Sequence, residues 1–364
     1  MITNTLIILL IIIIIFLLCE SRYGEHFTSY KKCNEKPIRG IMREIFQKFK
    51  IDKTQKDDFD LYIPCGYNKV EYELTTINPK EKQKIYGISG CDRIVSKNSL
   101  WTIIFNKYGR DEASNIMPES FVLTDNNDMK EFRKKHVKNN IYILKKNLQR
   151  KLGIKMTRNL SEIENAKNDK FKVVQRYIDD VFIINKRKMN LRIYMLVICY
   201  GNTKKVYFHK LGKCLYTSKD VTSKDSLDFD ENITNSYKME KHIYDNNPLT
   251  LTQLDSYLEK NNHDNKLLNK NIKELLRKLG PAIIDPLCNL NNIKKNFKFQ
   301  LFGLDVIFDS KMKTYLLEIN KGPDMGPKDE VDKKLKTKVQ MDTYEKAGII
   351  KIDDPQYVNE FEEI

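Results

Sequence analysis

The sequence predicts an α+β protein with its helices and strands in packed layers. Three observations lead there. The chain has 364 residues, enough for two or three subdomains around sizeable cores. Hydrophobic residues make up 41% and charged residues 31%, a globular balance that excludes a disordered or fibrous chain. Strand and helix signals alternate without the strict β-α-β order of a parallel α/β sheet.

The elements follow in chain order. Residues 1–19 carry no charged side chain, and 6–19 are almost wholly Leu, Ile and Phe, long enough to span a hydrocarbon core as a helix. No basic residue precedes the run and bulky residues end it, so 1–20 reads as an uncleaved membrane anchor, with a signal peptide or a buried core helix as the alternatives. The nearby cations, Arg22, Lys31, Lys32, Lys36 and Arg39, all follow the run, which orients the large domain toward the cytoplasm. Residues 38–49 fit an amphipathic helix with Ile41, Met42, Ile45, Phe46 and Phe49 on one face. Residues 84–95 read as strand, turn, strand, followed by a helix over 99–108 that stops at Gly109. An extended segment at 120–123 and a charged helix at 127–137 come next. Strands are expected at 141–144, 173–178 and 191–200, the last pairing with 205–211 across Gly201-Asn202. Residues 217–247 lack periodicity. Helices at about 251–260 and 266–279 lead to a strand pair, 299–308 and 314–320, and a last helix carries Val331, Leu335 and Val339.

Composition narrows the chemistry. Lys and Arg total 64 against 49 Asp and Glu, a formal charge of +15 that favours an acidic partner, although a Lys-, Asn- and Ile-rich composition produces the same excess without one. No recognition motif accompanies the charge, so no nucleic acid is expected. The seven cysteines are dispersed and no two form a C-x-x-C, which argues against a disulfide framework or a zinc site and suits a reducing compartment. No Walker A loop, dinucleotide fingerprint or G-x-S-x-G elbow occurs.

Three constellations remain. If Asp309 pairs with Thr314, Asp305 lies directly opposite Glu318 in the 299–320 hairpin, and Asn320 shares their face. Two adjacent carboxylates repel, but a hard divalent cation such as Mg²⁺ reverses that cost, using carboxylates together with substrate phosphates. Lys188, Asn190 and Arg192 alternate onto one face of a strand, where cations suit phosphate oxygens. Lys145 ends a strand ahead of a basic, Gly153-containing turn, a setting that can hold phosphates.

In fixed order the chain carries Lys145, Val-Val-Gln175-Arg176-Tyr177-Ile178, Lys188-x-Asn190-x-Arg192, Thr234-Asn235, Asp305 and Glu318-x-Asn320. With these pieces it resembles the tubulin–tyrosine ligase family of ATP-grasp enzymes over about residues 97–344. The resemblance implies an ATP-grasp fold, with ATP between two α+β subdomains at about 97–185 and 186–345. A linker and small α/β subdomain at 21–96 would precede it, and a tail at 346–364 would follow. It implies that Lys145, and less directly Lys97, holds phosphates. Gln175, Arg176, Tyr177 and Ile178 would line the adenine, with Lys188 and Asn190 near adenine and ribose. Arg192 would meet the γ-phosphate, Thr234 and Asn235 the reacting acyl phosphate, and Asp305, Glu318 and Asn320 would bind Mg²⁺. The implied activity joins a free amino acid to a carboxylate of an acidic protein acceptor, such as a tubulin C-terminal tail, through an acyl phosphate.

Three departures leave an alternative open. Asn190 stands where the family carries Asp, Asn232 where it carries His, and Leu215 where it carries Arg, with Lys213 or Lys210 as substitutes for the lost cation. A membrane-tethered pseudoenzyme that binds nucleotide or an acidic protein without forming a peptide bond fits those departures. A third possibility is a ligase acting on small carboxylates.

Overall fold

The computed structural model describes residues 27–33, 37–148, 153–234 and 241–364. Its strands are β1 (Ser29–Lys32), β2 (Asp52–Lys53), β3 (Leu61–Ile63), β4 (Lys84–Tyr86), β5 (Ser120–Val122), β6 (Tyr142–Lys145) and β7 (Ile154–Thr157), then β8 (Val173–Arg176), β9 (Ile183–Ile184), β10 (Arg187–Tyr200), β11 (Thr203–Tyr216), β12 (Lys298–Phe308), β13 (Thr314–Asn320) and β14 (Phe361–Glu363).

The longest strands, β10 and β11, come from the apolar runs on either side of Gly201-Asn202. Gly201 takes a left-handed backbone (φ 57°) that a residue without Cβ adopts freely, so the chain reverses in two residues. Both faces of β10 are covered. Leu191, Ile193, Met195 and Val197 enter one core with the helices Lys97–Ile116, Leu251–Lys260 and Asn265–Ile283. Tyr194, Leu196 and Ile198 enter the other, with the helices Gly40–Lys48 and Glu330–Lys346. Period-two alternation between two apolar cores explains why this strand reads as a continuous apolar run.

The large sheet runs β14-β11-β10-β12-β4-β3-β1-β2, with β13 added to β12 and β9 to β10. β12 has two neighbours on one side: its first residues pair in parallel with β4, and its later ones antiparallel with β13. The N-terminal strands thereby extend the sheet that carries the 299–320 hairpin. At the other edge, β14 within the 346–364 segment pairs with Tyr207, Phe208 and His209 of β11. A separate antiparallel sheet, β5-β8-β6-β7, packs on its own smaller core around Phe121, Phe132, Tyr142 and Val174.

Several expectations are corrected. The second half of 84–95 is a helix, Cys91–Val95, not a strand. Gly90 enters it at φ 82°, and a Cβ there would lie 1.9 Å from the Pro286 carbonyl oxygen. Glu71 then accepts from the Gly90 and Asp92 N–H groups at 3.0 Å each, replacing the partners a second strand would have supplied. The helix expected to stop at Gly109 runs to Ile116 across a kink at that residue. The cysteines are not all separate: Cys33 pairs with Cys65 and Cys199 with Cys288, at Cα separations of 5.1 and 6.4 Å, while Cys91 and Cys214 are free and buried. Cysteines 32 and 89 residues apart meet only through the sheet, so their spacing carries no signal. The expected anchor at 1–20 lies outside the described residues, among which no helix is long and apolar enough to cross a membrane.

Candidate active site

Strand register builds the centre of the site. Lys213, Arg192, Asp305 and Glu318 stand opposite one another across β11, β10, β12 and β13. The Asp305–Glu318 pair is the expected one, but the route to it differs. Near the turn Phe308, not Asp309, faces Thr314, and Val306 faces Leu316. A bulge at Leu317 then moves the register by one residue. With the turn's register continued, Glu318 would face Leu304 and point to the opposite side of the sheet.

The side chains in this row are paired. Arg192 Nε donates to Asp305 Oδ1 at 2.6 Å and Nη2 to Oδ2 at 3.3 Å. Lys97 Nζ lies 3.3 Å from Glu318 Oε2, and Asn320 Nδ2 reaches Glu318 Oε1 at 3.4 Å. Burial pushes the Asp305 carboxyl above its ordinary value; Arg192 opposes that shift and Glu318 adds to it. Burial acts the same way on Glu318, but Lys97, Lys145 and Arg192 outweigh it and hold that carboxyl below its ordinary value.

The small sheet contributes Lys145, buried at the end of β6. Its Nζ donates to Gln175 Oε1 at 2.6 Å, and Gln175 Nε2 donates in turn to Ser120 Oγ at 2.9 Å and Pro118 O at 3.3 Å. Gln175 thus orients the lysine instead of presenting its side chain to a ligand. Burial pushes the Lys145 ammonium down to about 8; Glu318 and Asp305 pull it up and Lys97 adds to the lowering. Lys97 joins the end of this strand to the carboxylate row: its N–H donates to Asn147 Oδ1 and its Nζ to Leu148 O, at 3.0 Å each, just beyond Lys145, while Nζ also lies beside Glu318.

Between the sheets, Tyr177 is buried, Ile178 half-buried and Arg176 exposed. The Tyr177 N–H donates to Ile141 O at 3.2 Å, and Ile178 makes no backbone hydrogen bond among the described residues. Tyr177 Oη donates to Asn232 Oδ1 at 2.6 Å, and Lys188 Nζ donates to both the tyrosine oxygen and Asn232 Oδ1. Asn232 is itself held by the carbonyls of Ser226 (2.9 Å) and Asp228 (2.8 Å). Burial pushes Lys188 down to about 8, with Glu231 and Asp179 opposing. Asn190 Nδ2 donates to Thr234 Oγ1 at 2.8 Å. Asn235 lies outside the described residues. Lys188 also lines a cavity of about 230 Å³ with Asp179, Phe182, Lys224, His263 and Ser310. Phe182 and His263 carried no sequence signal, because only the tertiary fold brings them to Lys188.

The structure therefore brings Lys97, Lys145, Arg192, Asp305, Glu318 and Asn320 into one cluster, and Tyr177, Lys188, Asn190, Asn232 and Thr234 into a neighbouring one. Arg176 stays outside both. Two carboxylates and a side-chain amide offer the oxygen donors a hard divalent cation takes, and the surrounding cations suit phosphate oxygens.

A sheet row in which two cations, Lys213 and Arg192, are followed by two carboxylates, Asp305 and Glu318, defines a protein whose side chains can neutralise a polyanion and a divalent cation together. The tubulin-tyrosine ligase family model matches residues 75–355, and the chain belongs to that family. It is 27% identical over 320 residues to human tubulin polyglutamylase TTLL6, covering 79% of this chain and 34% of that protein. It is 25% identical over 328 residues to a probable beta-tubulin polyglutamylase of Tetrahymena thermophila, covering 82% and 26% respectively. A third relative, tubulin polyglutamylase ttll-5 of Caenorhabditis elegans, is 30% identical over 199 residues, 50% of this chain and 27% of its own. The chain thus spans about a third or less of these relatives' own length.

Proposed function

We propose that the protein is an ATP- and Mg²⁺-dependent protein–amino-acid ligase of the ATP-grasp type, anchored to a membrane by residues 1–20; the cations that follow the run favour a cytoplasmic catalytic domain, and the two disulfides favour the oxidising side. The observation that carries the ligase reading is the convergence of Lys97, Lys145 and Arg192 on Asp305 and Glu318. Family membership and relatives named as tubulin polyglutamylases support it, with an acidic tail such as tubulin's as acceptor.

Lys97 and Lys145 would hold the phosphates, with Gln175 fixing Lys145 in place. Tyr177, Ile178, Lys188 and Asn190 would take the nucleoside end. Asp305, Glu318 and Asn320 would hold Mg²⁺, which neutralises charge on the transferring phosphoryl group when bound. An acceptor carboxylate oxygen attacks the γ-phosphorus as the bond to ADP breaks, giving an acyl phosphate. The free amino acid's amine then attacks the acyl carbon, phosphate leaves, and the amine proton passes to solvent. Arg192 would stabilise charge on the transferring group, with Thr234 and Asn235 near the acyl phosphate. Such a transfer depends on positioning and electrostatics more than on a protein nucleophile, which suits a site without one.

A second reading, a nucleotide- or acidic-protein-binding pseudoenzyme, is favoured by Asn190 and Leu215. Calorimetric titration of an ATP analogue with Mg²⁺ into the full chain, beside Glu318→Gln and with intact-mass assays of acidic peptides, separates the two. Binding lost in the variant plus an amino-acid mass gain supports the ligase. Binding with no gain favours the pseudoenzyme, and no nucleotide binding by folded protein removes the ligase and leaves only an acidic-protein-binding module. Protease protection of the domain on isolated membranes tests the anchor and its orientation.

A further inference from the structure

We infer that Lys213 is a positioning residue of this site, acting through Asp332 on the loop that leaves Asn320. The inference rests on the site assignment proposed above. Of the two lysines near Leu215, Lys210 is half-exposed and pairs with Glu360 (3.8 Å) and Glu362 (3.3 Å) beside β14, away from the row. Lys213 is buried and stands opposite Arg192. Its Nζ donates to Asp332 Oδ1 at 2.8 Å.

Asp332 is a fully buried hub. Its Oδ2 lies 2.9 Å from Lys336 Nζ and accepts the Lys328 N–H at 2.9 Å, while Lys336 Nζ also donates to the Gly326 carbonyl at 2.6 Å. The loop 321–329 is thereby held at Gly326 and Lys328 from the helix, and Lys213 ties that assembly to the sheet. At the loop's other end, Gln300 Nε2 donates to Lys321 O at 2.9 Å. The middle of the loop meets the row itself: a Cβ placed on Gly303 would lie 3.0 Å from Pro323 and 2.9 Å from Arg192 Cδ. Releasing the loop loosens the packing beside Arg192 and the segment that follows Asn320. The loss of an arginine at position 215 is accompanied by a buried cation two residues earlier on the same strand.

The test compares Lys213→Met, Lys213→Arg, Asp332→Asn and the Met/Asn double variant in the full chain. Three quantities are read: affinity for an ATP analogue with Mg²⁺, hydrogen exchange of amides in 321–329, and melting temperature. Lys213→Met and Asp332→Asn should each weaken affinity by about tenfold or more, as loss of an outer-shell partner does. The double variant should be no worse than either single one, and Lys213→Arg should restore most of the affinity. Exchange should rise in 321–329 and not in β10 or β12. A folded Lys213→Met variant with unchanged affinity and exchange, or one that changes only in melting temperature, overturns the inference. Weakened binding in Lys213→Met with wild-type behaviour in Asp332→Asn also overturns it, because the lysine would then act by charge alone. If the wild type binds no nucleotide, the ligase reading fails separately, and the exchange measurement decides whether Lys213 holds the loop 321–329.

Discussion

Two groups of carboxylates in this protein, one fully buried and one only partly so, meet opposite conditions. Along the helix Glu330–Lys346, Asp342 accepts from His209 Nε2 at 2.9 Å, from Lys338 Nζ at 2.7 Å, from the Tyr357 hydroxyl and from the Glu360 N–H at 3.0 Å. In the sheet row, Glu318 is half-buried; among the described residues it has Lys97 at 3.3 Å and a long contact from Asn320, and it stands beside another carboxylate. Burial opposes ionisation of both Asp342 and Glu318, but donors outweigh it at Asp342 and distributed charge outweighs it at Glu318. A carboxylate saturated by protein donors has no capacity left for a ligand and acts as structure. One that is half-buried, charged and incompletely hydrogen-bonded keeps capacity for a ligand that completes it.

The contrast can be broken at either end. The largest stability effect is expected at the saturated hub: Asp342→Ala removes the partner of a buried ion-pair network and should cost about 3–5 kcal/mol in denaturant unfolding. Glu318→Gln should by comparison change stability by under about 1 kcal/mol, since it also relieves repulsion from Asp305. Its effect should fall on ligand linkage. An ATP analogue with Mg²⁺ at about 100 times its dissociation constant should stabilise the wild type by about 2.7 kcal/mol in a thermal-shift measurement and the variant by almost nothing. Equal losses of stability in the two variants would erase the distinction.

Acid titration sharpens the same comparison. The folded Asp342 carboxyl sits below its ordinary value, so its stabilising contribution is complete above the unfolded-state pKa, about 3.9, and disappears as pH falls through the folded value. Unfolding free energy of the wild type should drop below about pH 4, and Asp342→Asn should follow a flatter curve there. The smallest effect is expected between the sheets. Tyr177→Phe removes one donor to Asn232 but leaves Lys188 bonded to the same oxygen, a loss of about 0.5–1.5 kcal/mol by chemical denaturation.

Much of the site was legible in the chain. The alternation Lys188-x-Asn190-x-Arg192 placed three polar groups on one face, and hairpin arithmetic set Asp305 opposite Glu318, although the bulge at Leu317 was needed to keep them there. The bulge has no signature in Thr-Tyr-Leu-Leu-Glu, because any of its apolar residues can leave the ladder. Short strands were harder to see. β1 to β3 have two to four residues each, too few for a period to emerge, and they are stabilised by joining, through β4, a sheet whose β12 lies far along the chain.

The sequence by itself determined the α+β class, the apolar runs of β10 to β13 and the identities of the charged residues, since burial pattern and side-chain chemistry are local properties. The tertiary structure decided which charges are satisfied. It alone joined Lys145 to Gln175, Lys188 to Asn232 across two segments, Lys213 to Asp332, and Cys199 to Cys288. Each of those contacts links residues 30 to 119 positions apart, and a chain encodes such distances only through the way its sheets pack.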